Sequence, residues 1–220
     1  MTAGTPSTLV LVPTELERRL LAGKPGYGID VDCELCGFGP VASAARTAEL
    51  LAKKRPDRVL LIGIAGTFDR EALPIGTAAT FPQALLHGVG VGSGSAFVPA
   101  GAMGFAHWVD EERGLQVDDA IPLTAPLSPA PGALLTACAA SISAEDASLR
   151  AERFPGIVAE DMEGFAVALA ARLAEVPTAV VRGISNHVGD RKVDGWQIPE
   201  ALDAAWHIAT DLIGRPDWSA

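Results

Sequence analysis

Apolar residues along this chain fall into two alternating patterns. Thr8-Leu-Val-Leu-Val12 is an unbroken apolar run that stops at Pro13, the signature of a strand buried on both faces. Thr14 precedes a helical segment opening at Glu15, and Glu17 follows it at the spacing of a capping box. A second strand is expected over Ile29–Leu35. After Gly37-Phe-Gly39-Pro40, Val41, Ala44, Ala45, Ala48, Leu51 and Ala52 repeat at helical spacing, which predicts a helix from Val41 to Lys54. Arg58–Ile64 is again a buried-strand run, closed by Ala65-Gly66.

The middle is less regular. Ala78–Phe81 reads as a strand, and Leu85–Met103, carrying Gly88, Gly90, Gly92, Gly94 and Gly101, as loop with short strand pieces. Pro122, Pro126, Pro129 and Pro131 make 122–131 irregular. Further on, Ala133–Ile142 reads as a strand, Asp161–Glu175 as a helix with Phe165, Ala166, Leu169, Ala170 and Leu173 inward, and Thr178–Ile184 as a strand. Pro199–Ile213 reads as a closing helix with proline in its first turn. Strands alternating with helices predict an α/β fold, a three-layer αβα sandwich around a twisted, mostly parallel but mixed sheet. The proline-rich stretch sits where a linker would, but the elements on both sides share one style, so residues 1–220 are expected to form a single domain.

Composition narrows the partners. With 220 residues, 49% of them hydrophobic, the chain is long enough to bury a sizeable core. The formal charge of −10 repels nucleic-acid backbones and anionic membranes, which leaves a small molecule as the expected ligand. Cys33, Cys36 and Cys138 make no disulfide framework and fit a reducing compartment. Cys33-x-x-Cys36 has the spacing of half a zinc site, but no second half follows, and on a strand the two face opposite ways. His87, His107, His187 and His207 are not at metal spacing, so neither metal nor organic cofactor is expected. Met1–Ser7 lacks the basic and apolar parts of a signal peptide, and no run of apolar residues is long enough to span a bilayer; a cytoplasmic location is expected.

Candidate chemistry lies beyond strand ends, where ligands bind in α/β sheets. Glu17 follows the first strand by a turn, Asp161-Met162-Glu163 opens the penultimate helix, and Ser185-Asn186 follows the strand Thr178–Ile184. Taken singly each has a structural explanation: Glu17 completes a helix cap, Glu163 opposes a helix dipole, and Ser185 and Asn186 are turn residues.

Together they resemble a known family. Glu160-Asp-Met-Glu-Gly-Phe-Ala-Val-Ala168 followed by Arg182-Gly-Ile-Ser-Asn186 is similar to the paired signature of the purine nucleoside phosphorylase and methylthioadenosine nucleosidase superfamily. Gly37-Phe-Gly39-Pro-Val-Ala and Ile62-Gly-Ile-Ala-Gly66 resemble that superfamily's first two glycine turns. Val12-Pro-Thr-Glu-Leu-Glu17, Gly90-Val-Gly92, Glu160-Asp-Met-Glu-Gly164, Val188-Gly-Asp190 and Trp196 are similar to its futalosine hydrolase branch.

The resemblance implies hydrolysis of the N-glycosidic bond of futalosine, a nucleoside of menaquinone biosynthesis, by a homodimer or larger homo-oligomer. In that reading Glu17 deprotonates the attacking water, Glu163 accepts from a ribose hydroxyl, Met162 packs on the sugar and Asn186 meets N7 and O6 of the purine. Ala65, Gly66, Ser141, Ile142 and Ser185 complete the expected contacts. An amide at 186 transfers no proton, which points to hypoxanthine as leaving group; turned over, it would accept from a 6-amino group, as a methylthioadenosine or adenosylhomocysteine nucleosidase requires.

Phosphorylases of the superfamily place an arginine where Pro13-Thr-Glu-Leu-Glu17 stands, and a carboxylate there repels phosphate by roughly several kcal/mol. Arg18 and Arg19 follow at once, so phosphorolysis stays open. The sequence departs from other nucleosidases at Ile64, where many have serine, and in having no phenylalanine near Ala137–Ser143 to stack on the base. Phe38, Phe81, Phe97 and Trp108 are candidates for the wall around a 5′ substituent, or for the core. Two readings from other classes remain. One is a nucleoside sensor without catalysis. The other is a dinucleotide-binding module, since Gly37-x-Gly39-x-x-Ala42 satisfies the short glycine fingerprint, with Asp57 at the wrong end of the next strand.

Overall fold

A computed structural model of the chain describes residues 6–28 and 33–218. The first apolar run is strand β1 (Thr8–Val12), followed by helix α1 (Glu15–Leu21) behind a complete capping box at Thr14. Strand β2 covers Cys33–Leu35, and the start of the expected strand, residues 29–32, lies outside the described residues. Helix α2 runs Gly39–Lys54 and strand β3 Arg58–Thr67. Ala65-Gly66 therefore does not close the strand. The ladder continues because β13 still runs along one edge while β12 joins the other, pairing Gly66 with Asn186 and with Glu160.

The middle contains more strand than its glycines suggest. After β4 (Ala78–Thr80) comes β5 (Gln83–His87), a member of the main sheet where loop was expected. Two small hairpins follow, β6 (Gly90–Val91) with β7 (Val98–Pro99), and β8 (Trp108–Asp110) with β9 (Leu115–Val117). Strand β10 (Ala120–Pro122) returns to the main sheet before the irregular proline stretch.

Three expectations in the last third shift. The strand predicted over Ala133–Ile142 ends at Ala137 (β11), because the chain turns away to begin helix α3 (Ala144–Arg153), capped by Ser143. Strand β12 (Ile157–Asp161) was hidden by its polar end, Glu160-Asp161. Helix α4 consequently starts at Gly164, three residues later than the predicted start at Asp161. Strand β13 spans Thr178–His187 and helix α5 Ile198–Gly214.

Among the described residues, nine strands form one mixed sheet. The β1–β2, β1–β3, β3–β13, β5–β11 and β11–β12 pairs are parallel; β12–β3, β13–β4 and β10–β5 are antiparallel. Side chains alternate across it into two cores. Leu9, Leu11, Val59, Leu61 and Val180 pack with Leu50 and Leu51 of α2 and Val167, Ala170 and Ala171 of α4. Val10, Val12, Leu60, Ile62, Ala179 and Val181 pack with Leu202, Ala205, Trp206, Ala209 and Leu212 of α5. That is the predicted αβα sandwich, the period-two alternation of each central strand feeding both faces. Cys33 and Cys36 enter opposite cores, as the spacing predicted.

Candidate active site

A cavity of about 300 Å³ opens where β3, β12 and β13 meet, at the small end of the range for small-molecule pockets. Glu17, Ala65, Gly66, Ser141, Met162, Glu163, Ser185 and Asn186 all line it, so residues scattered through the sequence converge on one cleft. Ile142 does not: its side chain is exposed on the loop after β11, and its N–H donates to Asp146 Oδ2 (3.2 Å). Of the aromatic candidates only Phe38 lines the cleft; Phe81 and Phe97 are core, and Trp108 is half-exposed on a small hairpin. Trp196 and Arg191, from the loop between β13 and α5, wall the mouth, with the guanidinium over the indole at 5.2 Å.

Glu17 is both cap and cleft residue. Its Oε2 accepts from Thr14 N–H (3.1 Å) and Thr14 Oγ1 (2.5 Å), and Oε1 accepts from Ile64 N–H (3.0 Å). Three donors fill three of about four acceptor sites of a carboxylate and leave one on Oε1. The side chain is only 4% exposed, so that last site faces the cleft and little else.

Glu163 sits at the N-cap of α4 but does not cap it; Asp161 Oδ2 accepts Gly164 N–H (2.8 Å) instead. The Glu163 carboxylate crosses to the start of α2, accepting Gly39 N–H at Oε1 (2.9 Å), and accepts from Arg182 Nη2 at Oε2 (3.2 Å). The dipole it opposes is thus that of α2. A carboxylate already fills the helix start where a dinucleotide phosphate would lie, and Asp57 is tied to Ser7, so the glycine fingerprint serves to hold Glu163 at this cleft. Burial pushes Glu163 up to about 7; Arg182 pulls it back, while Asp161 and Glu17 add to the rise.

Arg182 lies within the signature but was not among the expected site residues; it supports the cleft from behind. It is fully buried and donates through Nε and Nη2 to Asp161 Oδ2. Asp161 is further held by Thr136 Oγ1 (2.6 Å), which itself accepts Phe165 N–H (2.7 Å). Burial opposes the charge of Arg182, but Asp161, Glu163 and Glu17 around it hold its pKa above the ordinary value. Its Nη1 has no partner and lies over Gly63: a β-carbon there would be 2.0 Å from Nη1 and 2.9 Å from Glu17 Oε1. A lone arginine inside an otherwise apolar strand was the available signal, since such a cation is buried only with partners.

Asn186 owes its position to an irregularity. The β3–β13 register shifts between Ile184 and Asn186, inserting Ser185 and bringing Asn186 level with Gly66. Ser185 Oγ donates to Asn186 Oδ1 (2.8 Å), and Asn186 Nδ2 donates to the His187 carbonyl (2.9 Å). Turned over, the amide would set oxygen against that carbonyl, so Nδ2 is fixed as the donor and keeps one hydrogen free.

Comparison with known proteins agrees. The model of the phosphorylase superfamily matches residues 26–213. The futalosine hydrolase of Streptomyces coelicolor is 35% identical over 189 residues, 84% of this chain and 77% of that protein. That of Thermus thermophilus is 30% identical over 230 residues, covering 94% and 95%. Among solved structures, a 5′-methylthioadenosine/S-adenosylhomocysteine nucleosidase from Colwellia psychrerythraea in complex with adenine superposes with TM-score 0.76 over 100% of this chain and 99% of its own at 19% identity. The futalosine hydrolase of Helicobacter pylori gives 0.73, 94%, 97% and 17% for the same quantities.

Proposed function

From the premise that the chain belongs to the phosphorylase superfamily and, within it, to the futalosine hydrolases, we propose a mechanism in which Glu17, Glu163 and Asn186 together cleave futalosine to hypoxanthine and the dehypoxanthinyl sugar. The observation that carries it is their convergence on one small cleft, two carboxylates and a donor amide. Water held at the open site of Glu17 Oε1 attacks C1′ and gives its proton to that carboxylate. The C1′–N9 bond breaks with its electron pair going to the purine, which takes a proton from solvent as it leaves while Glu17 returns its own, so that water and futalosine become sugar and neutral hypoxanthine. General-base assistance of this kind is worth about 10²–10⁴-fold.

The sugar becomes positive as the bond breaks, and Glu163 with its two remaining acceptor sites takes a ribose hydroxyl and stabilises that charge. Met162 packs against the ring. Asn186 Nδ2 gives its free hydrogen to the oxygen or N7 of a 6-oxopurine as the base gathers electrons, whereas a 6-amino group would have to turn to the lone pair of Oδ1 that Ser185 leaves open. The position of Glu17 favours water over phosphate, since no cation other than Arg191, at the mouth, lines the described cleft. No step calls for a metal or an organic cofactor. The enzyme works as one domain in the cytoplasm and as a homo-oligomer; among the described residues no helix is long and apolar enough to cross a membrane.

Incubating the purified protein with futalosine, inosine and methylthioadenosine, with and without phosphate, and identifying the released base by chromatography tests this. Hypoxanthine from futalosine without phosphate is expected. A phosphate requirement, or release of adenine alone, would overturn the reading.

A further inference from the structure

The cleft holds another carboxylate that takes no part in the chemistry above. Glu160, buried on β12, lines it and is paired across the sheet with Gly66, whose other edge pairs with Asn186. Residues directly opposite on neighbouring strands face the same side, so Glu160 and Asn186 flank the glycine about 10 Å apart, two inter-strand spacings. Glycine keeps the floor between them flat: a β-carbon at 66 would lie 3.1 Å from Val188 Cγ2 and 3.3 Å from Asn186 Nδ2. A bicyclic base laid over Gly66 can turn N7 and O6 toward Asn186 and the adjoining N1 toward Glu160.

Its neighbours make the Glu160 edge an acceptor. Glu160 Oε1 accepts Ser141 N–H (2.8 Å), and Oε2 accepts from Ser141 Oγ (2.7 Å) and Arg150 Nη1 (2.7 Å). Arg150 is itself buried and anchored by the Ala139 carbonyl (2.8 Å) and Asp146 (3.0 Å). One acceptor site of Glu160 stays open. The backbone donors beside it are spent, Ser141 N–H on Glu160 and Ile142 N–H on Asp146. Glu160 therefore presents an acceptor here, with neither of these two N–H groups left to give.

We propose that Glu160 is a specificity-determining residue that accepts the N1–H of a 6-oxopurine and so selects hypoxanthine-type bases over adenine-type bases. The inference rests on the reading that the cleft binds a purine nucleoside, and it adds the residue that reads N1 of the base. Hypoxanthine presents an acceptor at O6 toward Asn186 and a donor at N1 toward Glu160. Adenine reverses both, a 6-amino donor facing the Asn186 amide and an N1 acceptor facing a carboxylate. A site built around a substrate N–H rejects the analogue lacking it, because its own buried groups are left unpaired.

The test is binding of free bases to the purified enzyme by calorimetry, beside futalosine turnover. The wild type is expected to bind hypoxanthine at least tenfold more tightly than adenine or 1-methylhypoxanthine, in which N1 carries no hydrogen. Glu160→Gln presents an amide that both gives and accepts, so the hypoxanthine-to-adenine ratio should fall at least tenfold in a variant whose melting curve stays cooperative. Equal wild-type affinity for hypoxanthine and 1-methylhypoxanthine overturns the inference without any variant, as does an unchanged ratio in folded Glu160→Gln or failure to bind any base. Turnover reads the parent assignment separately. A protein that leaves futalosine intact yet discriminates the bases keeps the Glu160 inference and loses the substrate. One that cleaves futalosine but binds both bases alike does the reverse.

Discussion

Replacing Glu163 with glutamine should make the protein more stable while removing its activity. Burial raises this carboxyl from 4.5 to about 7, and at about 1.4 kcal/mol per tenfold its ionisation costs about 3 kcal/mol more than in the unfolded chain. Below pH 4.5 both states hold the proton and the side chain costs nothing. Between 4.5 and about 7 the unfolded chain has released it while the folded protein keeps it, so stability falls as pH rises; above about 7 the whole penalty is present. Glutamine still accepts Gly39 N–H through its oxygen but sets an amide donor against Arg182 Nη2, a loss of about 1 kcal/mol. The net gain for Glu163→Gln is about 2 kcal/mol at pH 8, vanishing or reversing near pH 4.5. For a chain of this size that is a rise in Tm of roughly 4–8 °C at pH 8. Paired thermal melts across pH 4.5–8, with turnover at each pH, measure it, and wild-type kcat/KM should climb as Glu163 ionises through about 7. A variant less stable than wild type at pH 8, or a difference independent of pH, would refute the reasoning.

Three other substitutions probe the rest of the site. Glu17→Gln keeps one acceptor oxygen, enough for Thr14 or for Ile64 N–H, and sets an amide donor against the other at a cost of about 1 kcal/mol, so it should fold slightly destabilised and bind hypoxanthine while turnover drops about 10²–10⁴-fold by steady-state assay; unfolding of the variant would show that the cap is its main duty. Asp161→Ala removes the acceptor of two of Arg182's three hydrogen bonds and leaves the buried cation to Glu163, which should cost about 3–5 kcal/mol in urea denaturation, and a loss below 1 kcal/mol would mean Glu163 alone suffices as partner. Gly63→Ala drives a methyl into Arg182 Nη1 and should destabilise by about 1–3 kcal/mol with loss of turnover; an unaffected melting temperature would show the arginine free to move aside.

What the sequence disclosed followed from burial. β1, β3 and β13 are continuous apolar runs because both faces are covered, and they were legible to within a few residues. β12 was not, since its last two residues are acids whose partners, Arg150 and Arg182, lie elsewhere in the chain. Helix α3 escaped for the opposite reason: apart from Ala147 and Arg150 it buries little, so no apolar stripe marks it. Glu17, Glu163 and Asn186 were recognised through their motifs, but what each holds was beyond sequence. Glu163 bonding to α2 in place of its own helix, and the Asn186 amide locked by the His187 carbonyl, are contacts made by folding.

Glu17 fastens the first turn of α1 with the same oxygens that face the cleft. In the mechanism proposed above that group takes a proton in each turnover and loosens its hold on Thr14 and on the peptide at Ile64, then recovers it when the proton leaves. A seven-residue helix would thereby register, beat by beat, the charge state of the proposed reaction beneath it.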